Sequence, residues 1–170
     1  MIHLLVPCLF GFQAPASEPI KAADLKVVPG PMAPQYPDPA MGPGADRMQL
    51  ALRRAARRGS VPAVEVPTGT QVLEDRMMSQ TGWQAYLVQA PAGAKVKVRL
   101  QGEHTGWYWM TAVDKWGKTG AGMLQNRIKT GNPEASFINP RQDRVSPVYF
   151  MVDTQETNMN ETFTLTFTWE

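Results

Sequence analysis

Cysteine and histidine are almost absent from this sequence. In 170 residues there is one cysteine, Cys8, and there are two histidines, His3 and His104. A structural zinc site usually draws on four Cys or His ligands, and that supply does not exist here. Nucleophilic catalysis needs a nucleophile beside a base. Beyond residue 16 the one imidazole is His104 and no thiol remains. No serine stands in a Gly-x-Ser-x-Gly elbow. His104 therefore reads as a loop histidine, and no catalytic residue is expected. Charge of either sign is also scarce. A formal net charge of +2 is too small to hold a polyanion by bulk electrostatics, so no nucleic-acid partner is expected. No apolar run reaches the roughly 20 residues that cross a bilayer as a helix, so no transmembrane span is expected.

What is abundant is proline, with 15 residues. Six of them and three glycines fall in residues 29–44 (PGPMAPQYPDPAMGPG). Proline removes backbone donors and fixes φ, which excludes helix and interior strand there. Residues 17–45 are expected to form a flexible or extended arm, serving as a spacer or laid on a partner. Ahead of it, residues 2–12 (IHLLVPCLFGF) are apolar and lead to Ala14-Pro15-Ala16, a small-x-small cleavage pattern. Residues 1–16 are expected to be a signal peptide, although only His3 stands where a basic start is usual. The other reading of 2–12 is a buried strand or interfacial segment. Export would put the chain in the periplasm, at the cell surface or outside the cell.

Residues 46–58 (DRMQLALRRAARR) carry agreeing helix signals. Asp46 can cap the N-terminus, and its carboxylate suits the positive end of the helix. Met48, Leu52 and Ala55 recur at i, i+4 and i+7 and form one stripe with Ala51. Gly59 follows as the stop. Arg53, Arg54, Arg57 and Arg58 form i,i+4 pairs and a local basic patch. That patch suits a solvated face, an acidic partner or lipid surface, or a dibasic processing site.

From residue 64 the period changes to two. Strands are expected at 64–66, 71–75, 83–89, 95–101, 107–113, 122–125, 136–138, 147–153 and 162–169. The clearest is TFTLTFTW at the end of the chain. Successive strand side chains point to opposite faces, so Phe163, Leu165, Phe167 and Trp169 share one face and four threonines the other. In KVKVRLQ, Val96, Val98 and Leu100 point inward while Lys95, Lys97 and Arg99 guard the outside. Residues 147–153 are apolar on both faces, as an interior strand would be. Ala90-Pro91-Ala92-Gly93 and Asp114-Lys115-Trp116-Gly117 each join two strands. Short strands, closely spaced and without helices between them, predict a mostly β domain over residues 60–170. The expected fold is an antiparallel, jelly-roll-like sandwich behind one short N-terminal helix at 46–59.

Three segments add a resemblance. They are YLVQAPAGAKVKVRL from Tyr86, WMTAVDKWG from Trp109, and the pair VYFMV and FTLTFTW from Val148 and Phe163. In this order they resemble the bacterial pre-peptidase C-terminal domain, over residues 83–169. The resemblance implies a jelly-roll-like sandwich carried by secreted enzymes. Members of that family often have acids just before the central strand, where calcium can bind. Here the stretch is HTGWYW from His104, with no acid. Calcium is thus the one cofactor the resemblance allows, and the missing acids argue against it. No cofactor is expected.

Other candidates read as ordinary structure. Asp153, Glu156 and Glu161 gather near a predicted turn, and Glu103 and Asp114 flank a predicted strand. Paired carboxylates can cleave glycosides, but acids at strand ends are commonly solvated. Residues 153–161 are oxygen-rich without the glycine and spacing of an EF-hand loop. Residues 117–122 (GKTGAG) have the glycines of a phosphate cradle but lead into a strand pattern, not a helix. The tryptophans are the leading binding candidates. Trp107, Tyr108 and Trp109 are consecutive, so their rings point to both faces of a strand, in either phase. Trp116 sits in the next turn and is expected to be exposed. An exposed aromatic pair could stack on a sugar or anchor a protein contact. The expected function is an exported, non-catalytic module with a protein or carbohydrate ligand. The alternative is a structural subunit of a bacterial envelope or cell-surface assembly, docked through residues 17–45.

Overall fold

The computed structural model describes residues 18–32, 60–76, 83–102, 109–120, 122–125, 132–153 and 161–170. The expected signal segment 1–16 and the expected helix 46–59 lie outside the described residues. Eleven strands follow one another: β1 (Ile20–Lys21), β2 (Val27–Val28), β3 (Ala63–Val66), β4 (Val72–Arg76), β5 (Trp83–Ala90), β6 (Lys95–Gly102), β7 (Trp109–Val113), β8 (Met123–Gln125), β9 (Glu134–Ile138), β10 (Ser146–Asp153) and β11 (Thr162–Trp169). Among the described residues the one helical element is the 3₁₀ turn Ala22–Asp24. The strands make two sheets, one of six in the order β1-β4-β11-β6-β9-β8 and one of five in the order β2-β3-β5-β10-β7. This is the mostly β sandwich that the alternation predicts.

Side-chain alternation builds the space between the sheets. Phe163, Leu165 and Phe167 of β11 are buried while Thr166 and Thr168 are exposed. Its neighbour β6 buries Val96, Val98 and Leu100 completely. The antiparallel register sets Leu165 opposite Leu100, Phe167 opposite Val98 and Phe163 opposite Gly102. Directly opposed side chains are the unit of sheet stabilisation, and here they form a continuous apolar face. The five-stranded sheet answers with Tyr86 and Val88 of β5 and Val148, Phe150 and Val152 of β10. Tyr86 meets Phe163 edge-on, with ring centroids 6.5 Å apart. Trp169 closes the end of the core, stacked near Phe167 and donating its indole N–H to the Thr70 carbonyl at 2.8 Å.

The connections differ from simple hairpins. From β3 to β8 the chain changes sheet at every step. The Ala90–Gly93 and Asp114–Gly117 turns are therefore arches from one sheet to the other. The same alternation explains two parallel pairs in an otherwise antiparallel structure, β3 with β5 and β1 with β4. In each case the chain visits the other sheet between the two strands, so the second can return in the same direction. Residues 18–32, part of the segment expected to be an arm, run extended and pair into both sheets. β1 lies on the edge beside β4, and β2 on the edge beside β3. The sandwich therefore begins before residue 60.

One side chain ties the arches at one end. Asn139, fully buried after β9, donates its amide to the carbonyls of Ala90, Pro91 and Arg144 at 3.1, 2.8 and 2.9 Å. Its Oδ1 accepts the Arg141 N–H at 3.1 Å, and its own N–H reaches the Ala94 carbonyl at 2.9 Å. The β5–β6 arch, the end of β9 and the approach to β10 thus share one hub.

The outer faces of the two sheets are unlike. The six-stranded sheet turns Lys97, Arg99, Thr166 and Thr168 outward. The five-stranded sheet has a second apolar cluster on its far side, made by Ala63, Trp83, Ala85, Leu87, Val113, Tyr149 and Met151. β10 is apolar on both faces because it lies between two cores, as an interior strand flanked by β5 and β7.

Two outcomes follow for urea unfolding. Leu165→Ala is expected to cost about 2–5 kcal/mol, and Thr166→Ala one residue away no more than about 0.5 kcal/mol. Asn139→Ala, which leaves three carbonyls and an N–H without their partner, is expected to cost about 2–4 kcal/mol. Equal effects at Leu165 and Thr166 would contradict the alternation.

Candidate functional site

The exposed ring of Trp116 is set by the turn that follows β7. Asp114 Oδ1 accepts the N–H of Trp116 at 2.8 Å and of Lys118 at 2.9 Å. The backbone closes the same loop, with Gly117 N–H to the Asp114 carbonyl at 3.0 Å and Asp114 N–H to the Lys118 carbonyl at 2.9 Å. Gly117 adopts φ 70°, a left-handed conformation that a side chain would oppose. Aspartate is favoured at such places because its short carboxylate can bind the backbone two residues on. The turn is therefore stiff, and it presents a tryptophan that is 55% exposed. Lys115 Nζ lies 4.8 Å from the centroid of that ring. A cation over an indole face is attracted by the ring quadrupole, so ring and charge form one amphipathic tip.

The N-terminal ribbon buttresses this tip. Met32 donates its N–H to the Lys115 carbonyl at 3.0 Å, and its own side chain is exposed. Met32 also forms an isolated bridge with Ser60. Sequence reasoning missed the contribution of Met32, because no local signal joins residue 32 to residue 115.

Of the expected binding residues, Trp116 is placed as the turn chemistry predicts. Trp107 and Tyr108 lie outside the described residues. Trp109 opens β7, with its Cα in register with that of Asp153. Arg53, Arg54, Arg57 and Arg58 also lie outside, as do His104, Glu103 and Glu156. Asp114, considered as one of a pair of acids, uses a carboxylate oxygen to hold the turn. Glu161 is buried at the start of β11. Among the described residues no three His, Cys, Asp or Glu side chains gather in a group that could hold a metal ion. No helix among them is long and apolar enough to cross a membrane.

Sequence reasoning gave no sign of a second polar cluster inside the sandwich. Asp75 of β4 accepts the Tyr86 hydroxyl at 2.6 Å and the Gln84 amide at 3.2 Å on Oδ2, and the Arg76 N–H at 2.7 Å on Oδ1. Gln84 also donates to the Arg76 carbonyl at 2.9 Å. Burial pushes the Asp75 carboxyl above its ordinary value, and the three hydrogen bonds only partly offset that. Burial, then the neighbouring Asp75 charge, lifts the Tyr86 phenol well above its ordinary range. Burial also raises Tyr149. At the chain end, the hydrogen bond and charge of Lys95, 2.6 Å away, lower the exposed Glu170 carboxyl.

The Asp75 shift fixes a pH trend. A carboxyl whose folded pKa is raised binds protons more tightly when folded. It therefore contributes stability below the ordinary value of 3.8 and loses it as the pH rises through the folded value. Asp75→Asn removes that titration. The variant is expected to be less stable than the parent at low pH, with the gap narrowing as the pH rises above 3.8. A gap that widens over that interval in urea titrations would reverse the assignment.

No protein-family model matches the chain, and no curated protein does. Among solved structures it is similar to the pre-peptidase C-terminal domain of a collagenase from Bacillus anthracis. That match has a TM-score of 0.43 and 13% sequence identity, and covers 62% of this chain and 92% of that one. The matched domain is of the family that residues 83–169 resemble in sequence.

Proposed function

We propose that the chain is an exported, non-catalytic β-sandwich module that binds a protein or a glycan through the turn bearing Trp116. The observation that carries this reading is an indole, more than half exposed, on a turn that its own hydrogen bonds already hold. An indole that already stands in water on a rigid turn offers a large apolar contact and loses little entropy when it is covered. Lys115 beside the ring adds a charge for orientation, and the exposed Met32 extends the apolar surface. Tryptophan and charge together suit the face of a sugar ring or the centre of a protein contact. Export rests on the N-terminal apolar run and its cleavage pattern. The alternative, an assembly subunit docked through residues 17–45, must contend with residues 18–32 being paired into the chain's own sheets.

The test is binding by the full chain to a glycan array and to a panel of purified extracellular proteins. A ligand is expected whose affinity falls about tenfold or more in Trp116→Ala, the loss of roughly 1.4 kcal/mol typical of a central contact. The melting temperature of that variant should stay within about 1 °C of the parent, since an exposed ring contributes little to the core. Retained affinity in Trp116→Ala, or no ligand on either panel, would remove this assignment.

A further inference from the structure

We infer that the partner met at Trp116 is a protein segment, apolar at its centre and acidic around it, which rests on the reading of Trp116 as a contact and narrows it to one chemistry. Two chain crossings build the surface. β7 neighbours β10 in one sheet, and β8 neighbours β9 in the other. The chain passes from β7 to β8 and later from β9 to β10, so these two arches cross the same end of the sandwich side by side. They are joined where the Ile138 N–H donates to the Gly122 carbonyl at 2.8 Å. β7 ends with Val113 in register with Tyr149 of β10. Continued past that pair, the antiparallel register sets the Asp114–Gly117 turn beside the residues that lead into β10, Val145 among them. Val145 is 53% exposed, and Met32, bonded to the turn at Lys115, is 45% exposed. Trp116 thus has an exposed apolar side chain on each of two neighbouring segments.

Charge selects the partner. Residues 114–120 and 139–145 hold four cations, Lys115, Lys118, Arg141 and Arg144, against two acids, Asp114 and Asp143. The excess of two equals the formal net charge of the whole chain, so the rest of the sequence is neutral in sum. All four cations are exposed. Among the described residues none of them forms an ion pair, whereas Lys26, Lys95 and Lys97 are each paired with a glutamate. Of the two acids, Asp114 spends one oxygen on the N–H groups of Trp116 and Lys118. The surface therefore has an apolar centre with tryptophan and methionine, and a cationic rim with two arginines. Protein interfaces are enriched in these residue types, and arginine can hold a carboxylate through two parallel hydrogen bonds. A sugar would use the indole but leave Met32 and Val145 idle, since aliphatic groups offer nothing to hydroxyls. A turn that is stiff beforehand favours a partner of fixed shape over a fluid bilayer.

Selection from a random peptide display library on the immobilised full chain tests this. Enriched peptides are expected to carry large apolar residues flanked by Asp or Glu. Synthetic copies, titrated against the full chain by fluorescence anisotropy, should bind about tenfold or more weakly to Trp116→Ala, to Val145→Asp and to the Arg141→Glu/Arg144→Glu double variant. The pair Lys115→Glu/Lys118→Glu makes the same prediction from the other arch, away from the Asn139 hub, should the arginine variant not fold. Replacing the acids of the peptide by Gln or Asn should cost as much, and added sodium chloride should weaken the parent complex. Enriched peptides without acids, or binding indifferent to both cation pairs, would overturn the acidic partner while leaving Trp116 as a contact. Binding to a glycan array that needs Trp116, with no acidic peptide enriched, would do the same. Such binding to vesicles of phosphatidylcholine and phosphatidylglycerol would overturn it in favour of a lipid surface. Acidic peptides bound equally well by Trp116→Ala would remove Trp116 as a contact, and this partner with it.

Discussion

The last two strands of the chain are inserted into the interiors of the two sheets, β10 between β5 and β7 and β11 between β4 and β6. Until they arrive, β4 and β6 have no common neighbour, nor do β5 and β7. Their side chains carry the core that justifies the pairing, with Phe150 and Val152 on one side and Phe163, Leu165 and Phe167 on the other. The sandwich is therefore a non-local structure, closed by its C-terminus. Topologies of this kind fold slowly because loop-closure entropy is lost before the contacts form. They also demand strands that cannot slip. A one-residue shift of β11 would place four threonines in the core and four large apolar side chains in water, so the register is held by alternation alone.

Sheet hopping creates a second demand, since each arch must be satisfied without a hairpin's ladder. Asn139 meets it at one end of the sandwich. A single side-chain amide serves three acceptors from two separate stretches of backbone, residues 90–91 and 144, which a water could not do with the same rigidity. Its two amide hydrogens face three carbonyls, so the 3.1 Å contact to Ala90 shares a proton with a shorter one. Near the other side of β7, Asp114 does equivalent work with a carboxylate. The two hubs explain why short polar residues, and not glycines alone, stand where the chain passes from sheet to sheet.

Much of this was legible in the residues. Every strand expected from period-two alternation is present, with ends moved by one or two residues, because the pattern reports burial directly. Trp116 was legible for a different reason, since Asp-x-x-Gly specifies a tight turn and the residue inside it has nowhere to go but out. What could not be read was pairing. Alternation says which face is buried but not which strand lies alongside, so the arches look like hairpins in sequence. β1 and β2 were invisible because two-residue strands between prolines have no period. Asn139 has only Pro140 beside it as a local signal, whereas its role depends on residues 90, 91 and 144. The Asp75–Tyr86 pair was hidden because alternation marks Tyr86 as inward without saying what its hydroxyl finds there.

The unlike outer faces give the molecule its polarity. Lysine, arginine and threonine make one sheet's exterior a solvated surface that resists further pairing. The other sheet is apolar on both sides. Residues 29–32 and 60–61 run on from the β2–β3 pair, Val61 packs on the outer cluster, and Met32 donates its N–H to the carbonyl of Lys115. That ribbon and the turn that presents Trp116 are consequently joined through one hydrogen bond. The turn keeps its own Asp114 contacts without it, so its shape does not rest on the ribbon. What the ribbon fixes is where that turn stands relative to the covered face, and hence which neighbouring surface a ligand resting on Trp116 would also touch.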